Sequence, residues 1–210
     1  MRMRHKKHEK ERMEAVNRFL ITTPEDFTPS TPLHLEIGCG KGGFIVETAS
    51  RNPDIHYLAV EKVSSVLVLA MEKAAARELT NVQFLNGDVF RLSDYPLQNV
   101  CDRIYLNFSD PWPRTRHAKR RLTAPPFLAL YKTLLKPNGE IIMKTDNVPL
   151  FDFSLETLPE AGFTLESVTR DLHAENDPEN VMTEYETNFS SQGIPICRLK
   201  AILSEHPMNS

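Results

Sequence analysis

The chain has 210 residues, 40% of them hydrophobic and 25% charged, with a formal net charge of −3. That composition is ordinary for one soluble domain with a sizeable core, and no apolar run approaches the roughly 18 residues of a membrane helix. Three cysteines (Cys39, Cys101, Cys197) are odd in number and make no C-x-x-C pair. This argues against a disulfide framework and a zinc site, so no metal is expected.

The small net charge hides a segregation. Residues 1–12 hold six basic groups (Arg2, Arg4, Lys6, Lys7, Lys10, Arg12) beside two acids, and residues 114–121 hold five with none. The remainder has 14 basic against 26 acidic residues, a charge of −12. An acidic body with two concentrated basic segments fits contact with a polyanion at one place; a solvated arm and a solvated loop fit the same numbers.

In chain order, residues 1–20 read as a basic helical arm with Met13, Val16, Phe19 and Leu20 as its apolar stripe, preceding a single domain over residues 21–210. The arm lacks the apolar core of a signal peptide, so a cytoplasmic protein with no membrane partner is expected. Thr22 to Pro32 is a proline-rich loop. Leu33–Ile37 alternates as a strand, breaks into Gly38, Gly40, Gly42 and Gly43, and runs into a helical pattern from Phe44. A strand, a glycine turn and a helix let backbone approach a ligand and aim helix N–H groups at it. Gly38, Gly40 and Gly43 satisfy the dinucleotide form G-x-G-x-x-G; Glu36 with Gly38, Gly40 and Gly42 satisfies the E-x-G-x-G-x-G form used for S-adenosylmethionine. The loop alone leaves both open.

A second strand, Ile55–Val60, ends at Glu61, twenty-one positions beyond Gly40, where an acid can accept from both hydroxyls of an adenosine ribose. Residues 62–79 read as a packing helix, and Val82–Leu85 as a third strand followed by Asp88, placed to accept from an adenine amino group. Arg103–Phe108 is a fourth strand leading into Ser109-Asp110-Pro111-Trp112-Pro113 and the basic run. A helix over Phe127–Leu135, a turn at Lys136–Gly139 and a strand over Glu140–Lys144 lead to Asp146. A further helix, a strand near Thr164–Leu172, an irregular polar stretch and a last strand over Ile194–Leu203 complete the chain. Alternating elements predict an α/β, Rossmann-like fold: a mostly parallel seven-stranded sheet with helices on both faces. The glycine loop, Glu61, Asp88, Asp110 and Asp146 all fall at C-terminal strand ends, where ligands bind in such sheets.

A nicotinamide-dependent dehydrogenase would need a proton donor such as Tyr-x-x-x-Lys, and no tyrosine here has lysine four residues on. It would also leave the Asp-Pro-Trp-Pro turn and the arginines unused. A methyltransferase uses them all. Acid-Pro-Pro-aromatic turns after the fourth strand occur in enzymes that methylate nucleobase amino groups, and Trp112 is either a stacking surface for a base or a packed rim residue. Asp110 is either a charge beside the reacting base or the residue that starts the turn.

The segment FSDPWPRTRHAKRR over Phe108–Arg121 resembles the signature of bacterial tRNA (guanine-N7-)-methyltransferases. The likeness extends to HLEIGCGKGGF and to MTEYE at Met182–Glu186, so it covers nearly the whole chain. It implies the class I methyltransferase form of the Rossmann-like fold, S-adenosyl-L-methionine as cofactor, tRNA as partner, and a monomer or homodimer that forms 7-methylguanosine in the variable loop. It implies that Glu36, Gly38, Gly40, Glu61, Asp88 and Asp110 contact the cofactor, Asp110 also being catalytic. Arg114, Asp146, Thr183, Glu184, Tyr185 and Glu186 would contact substrate, and Arg116, His117, Lys119, Arg120 and Arg121 the RNA. The family places lysine where Arg114 stands, which keeps the charge and alters reach. Guanine offers N1–H and its 2-amino group side by side; by resemblance Glu186 is the acid to accept from both, the alternative being a helix-surface glutamate. Two other readings stand beside this one: a methyltransferase of exocyclic amino groups, and a non-catalytic RNA-binding module on the same fold.

Overall fold

The structure, a computed structural model, describes residues 8–204; the basic positions Arg2, Arg4, Lys6 and Lys7 lie outside the described residues. The chain divides into two compact units, one ending at Pro96 and the other beginning at Leu97.

The first unit contains α1 (Glu9–Ala15), β1 (Leu20–Ile21), β2 (Leu33–Ile37), α2 (Gly43–Arg51), β3 (His56–Glu61), α3 (Ser64–Ala76) and β4 (Val82–Asn86). Its strands lie in the order β1-β4-β3-β2 and all pair in parallel. The alternation of β2 suggests a half-exposed strand, yet all five residues are buried, His34 and Glu36 included. His34 packs edge-on against Tyr57 at 5.5 Å between ring centroids. The Leu- and Ala-rich segment forms α3, which buries Leu67, Val68, Ala70, Met71 and Ala74. The expected long arm helix is shorter: α1 stops at Ala15, and Val16 and Phe19 are buried beyond it. Arg12 donates from Nε and Nη2 to Glu72, and Ser64 Oγ donates to Glu9, so α1 is fastened to α3. Arg12 is thus committed within the fold rather than offered to a polyanion.

The second unit contains β5 (Cys101–Asn107), α4 (Pro125–Leu134), β6 (Leu135–Thr145), α5 (Val148–Glu160), β7 (Phe163–Thr169), α6 (Glu184–Ser190) and β8 (Cys197–Leu203). Its strands lie in the order β5-β6-β8-β7, with β5 parallel to β6 and β8 antiparallel to both neighbours. Prolines open α4 and α5, where a missing N–H costs no helical bond. The turn expected at Lys136–Gly139 lies inside β6: Leu135 pairs with Cys101 and Glu140 with Arg103, so the residues between them form a bulge.

Eight strands form among the described residues where seven are expected; the addition is β1, a two-residue pairing with the edge of β4. The three thiols are free and buried, and burial pushes Cys101 up to about 12 and Cys39 well above its ordinary value, so neither ionises at neutral pH. Among the described residues no group of side chains could hold a metal ion, and no helix is long and apolar enough to cross a membrane.

Candidate active site

In the first unit the parallel register aligns the C-terminal ends of β2, β3 and β4, pairing Ile37 with Val60 and Glu61 with Asn86. The N–H groups of Gly38 and Cys39 both donate to Val60 O, at 2.8 and 3.1 Å, fixing the start of the glycine loop on β3. Gly40 takes φ +55°, a region hostile to side chains, and a Cβ there would meet no atom within 4 Å. Conformation, rather than crowding, requires glycine there. Gly42 is different: besides φ +76°, a Cβ would sit 2.5 Å from Ala70 Cβ, so this glycine lets α2 approach α3 closely.

Glu61 is the acid that shapes the loop. Its Oε2 accepts from Gly40 N–H at 3.0 Å and its Oε1 from Val63 N–H at 2.8 Å. A carboxylate has about four acceptor sites, so each oxygen keeps capacity for a hydroxyl. Asp88 is half-exposed; it caps the turn Val89–Asp94 through Phe90 N–H at 3.2 Å and lies 3.4 Å from Lys62 Nζ. Glu36 is 2% exposed at the end of β2. The arrangement fits an adenosine-containing cofactor: a left-handed glycine turn that lets backbone approach closely, a helix N-terminus, and a carboxylate fixed beside them with acceptor capacity to spare.

In the second unit Asp110 follows β5 on a turn with two bulky residues in the left-handed region, Phe108 at φ 49° and Trp112 at φ 43°. Such conformations cost about 1–3 kcal/mol each and persist where surroundings impose them. Phe108 N–H donates to Lys144 O at 2.8 Å. Arg121 donates to Pro111 O at 3.0 Å and Trp112 O at 3.3 Å, its guanidinium lying 4.5 Å from the Phe153 ring centroid. Arg121, expected on RNA, thus turns inward as the brace of this turn. Arg120 lies 4.9 Å over the Trp112 ring, and His117 meets its edge at 5.9 Å, so the side chain expected to stack on a base is already flanked. Asp110 itself is exposed and makes no hydrogen bond or ion pair among the described residues, so its carboxylate is not what starts the turn. Arg114, Arg116 and Lys119 are likewise exposed and unpaired among the described residues.

Asp146 follows β6 and is partly exposed; Asn147, not Asp146, caps α5 by accepting from Leu150 N–H at 2.9 Å. The polar stretch expected to be irregular contains α6, opened by a reciprocal capping box: Glu186 N–H donates to Thr183 Oγ1 at 2.9 Å while Thr183 N–H points to Glu186 Oε2. The T-x-x-E spacing is the sequence signal for that helix. Glu186 is fully buried, and Lys144, at 4% exposure, donates to its Oε2 at 3.0 Å. Neither the expectation of a base-reading carboxylate nor that of a helix-surface one describes this arrangement. Within Thr183–Glu186 the exposed residues are Glu184 and Tyr185, the latter 62% exposed. Sequence reasoning also missed Lys144, whose only signal is a lysine directly after the apolar run Ile141–Met143.

The fold is that of class I S-adenosylmethionine-dependent methyltransferases: the structure of the 16S rRNA methyltransferase KamB superposes with a TM-score of 0.60 at 16% identity, over 82% of this chain and 87% of that one. A family model described as "Putative methyltransferase" matches residues 30–199. The tRNA (guanine-N(7)-)-methyltransferase of Bacillus cytotoxicus is 42% identical over 99% of this chain and 100% of its own, and that of Lactococcus lactis subsp. cremoris is 44% identical over 96% and 97%. The chain belongs to the tRNA (guanine-N(7)-)-methyltransferase family, and its cofactor is S-adenosylmethionine.

Proposed function

We propose that this chain methylates N7 of a guanine in the variable loop of tRNA, in the cytoplasm, with Asp110 as the catalytic carboxylate. Bound S-adenosylmethionine supplies an electrophilic methyl group on a sulfonium. Guanine N7 already carries a lone pair, so the chain needs no base to deprotonate it; placement and electrostatics are what its residues must provide. Glu61 holds the ribose hydroxyls while bracing the loop through Gly40, Asp88 accepts from the adenine amino group, and Glu36, Gly38 and Gly40 complete the cradle. Methylation leaves positive charge on the purine. A carboxylate beside the ring opposes that charge, and the observation that carries the reading is that Asp110 is exposed, unpartnered among the described residues, and held on a strained turn.

Arg114, Arg116 and Lys119 hold phosphates and fix register without reading sequence, since they are exposed and their charges are not spent internally. Tyr185, Glu184 and Asp146 face the target nucleotide, which must be unstacked before N7 is reachable. The test is direct. Incubation with methyl-labelled cofactor and bulk tRNA, followed by digestion, is expected to yield labelled 7-methylguanosine. A labelled N-methyl amino base would instead make the chain an amino methyltransferase, and no transfer would make it a binding module.

A further inference from the structure

Lys144 does two things at once. Its main-chain carbonyl accepts from Phe108 N–H at 2.8 Å, holding the left-handed residue two positions before Asp110. Its ammonium, buried, donates to Asn180 Oδ1, to Val181 O at 2.9 Å and to Glu186 Oε2 at 3.0 Å. Those three acceptors satisfy an ammonium's three donors. Glu186 in turn accepts from Asn180 Nδ2 at 2.7 Å on its other oxygen, with His173 Nε2 3.5 Å away. Val181 and Thr183 are buried on the approach to α6, so Glu184 and Tyr185 are held at the N-terminus of that helix. The two segments also touch directly: the Tyr185 ring stacks on Phe108 at 6.0 Å with 22° between planes, and Phe189 lies behind at 5.8 Å.

We propose that Lys144 is a positioning residue: through the buried pair with Glu186 and its carbonyl bond to Phe108, it couples the turn bearing Asp110 to the helix bearing Tyr185. The proposal rests on the functional reading above and refines it. Glu186 acts from the interior by fixing Tyr185, and does not itself read the guanine edge. A buried pair of this kind contributes little net stability compared with an apolar pair, but it specifies one arrangement of the groups it ties. That suits a site where a displacement of about 1 Å can cost about 10²-fold in rate.

The test compares the full-length wild type with Lys144→Met, Glu186→Gln and the double variant, using tRNA with guanosine or inosine at the target position. Each single variant is expected to raise KM for tRNA and lower the single-turnover rate per folded molecule by about tenfold or more. S-adenosylmethionine affinity by calorimetry should stay unchanged. The double variant, with no buried charge left uncompensated, should recover thermal stability yet lose no further activity, because the two residues act as one unit. It carries the test by itself if a single variant does not fold. Guanosine and inosine should fall by the same factor. A double variant with restored stability and wild-type KM for tRNA overturns the proposal, since the pair would then be structural only. A greater loss for guanosine than for inosine in Glu186→Gln overturns it too, by making Glu186 a direct reader. Wild-type enzyme that forms no 7-methylguanosine removes the functional reading together with the proposal, whereas a methylating wild type beside unaffected variants removes the proposal alone.

Discussion

The Asp110 carboxylate has no partner among the described residues, so its charge and its structural role separate cleanly. Asp110→Asn should lower single-turnover methyl transfer about 10²-fold or more, the scale of removing one electrostatic stabiliser. The melting temperature should barely move, since exposed substitutions away from structural features stay within about 0.5 kcal/mol. Kinetics and thermal melts on one preparation check both halves; an Asn variant with wild-type turnover would falsify the catalytic role. Glu61 does not separate in this way. Because it accepts from Gly40 and Val63 N–H groups, Glu61→Ala should weaken S-adenosylmethionine binding and loosen the loop together. Hydrogen bonds to a charged group contribute about 1.5–3 kcal/mol, so calorimetry should read about tenfold weaker affinity or more, with a lowered melting temperature beside it. Unchanged affinity in the folded variant would take Glu61 out of the cofactor site.

At the scale of elements, the meeting of α2 and α3 depends on Gly42. Gly42→Ala would place a methyl 2.5 Å from Ala70 Cβ at a backbone angle that side chains avoid. Overpacking of this kind costs about 1–3 kcal/mol, so the variant should melt lower and bind cofactor more weakly as the loop shifts. A neutral effect in both measurements would mean the helix gives way. The loop before α6 is tied to β8 by another pair: Arg198 donates to Asp177 and Glu175, and its hydrogen bond holds the Asp177 carboxyl below the usual carboxylate range. A lowered folded-state value contributes stability above the unfolded value of about 3.9, and that contribution is lost as pH falls through the folded value. Acid melts should therefore show Asp177→Asn losing less stability than wild type below about pH 4. Parallel curves would show the pair contributes nothing to folding.

At the scale of the whole molecule, the net charge of −3 sets the terms of tRNA binding, because an acidic body must meet a polyanion through few cations. The structure sorts those cations. Arg12 and Arg121 are spent on Glu72 and on the Pro111–Trp112 turn, while Arg114, Arg116 and Lys119 stay exposed. Replacing those three by alanine should reduce the magnitude of the slope of log K against log salt by about 0.7–0.9 for each phosphate no longer neutralised. Affinity for S-adenosylmethionine should be unaffected. Arg121→Ala should instead leave the salt slope intact and lower turnover, because it releases the turn that carries Asp110. An equal slope change for all four arginine and lysine positions would undo this division.

Much of this was legible in residues alone because it depended on local spacing. The strand, its glycines and the acid twenty-one positions on are read from spacing alone, as are the acids that follow several strand ends. The parallel pairing of β2, β3 and β4 follows from the same alternation. What spacing does not encode is where a long side chain ends. Thr183-x-x-Glu186 and the basic run read as surfaces, yet Glu186 is fully buried on Lys144 and Arg121 folds back onto two carbonyls. Lys144 and Glu186 are 42 residues apart, a separation that neither helical nor strand periodicity relates. Their partnership exists only because β6 and the segment leading into α6 pack side by side, excluding water and obliging each buried charge to find the other. The sequence determined which residue types follow the strand ends; the tertiary structure decided which of them face outward and which are held inside, because only packing brings a buried charge to its partner.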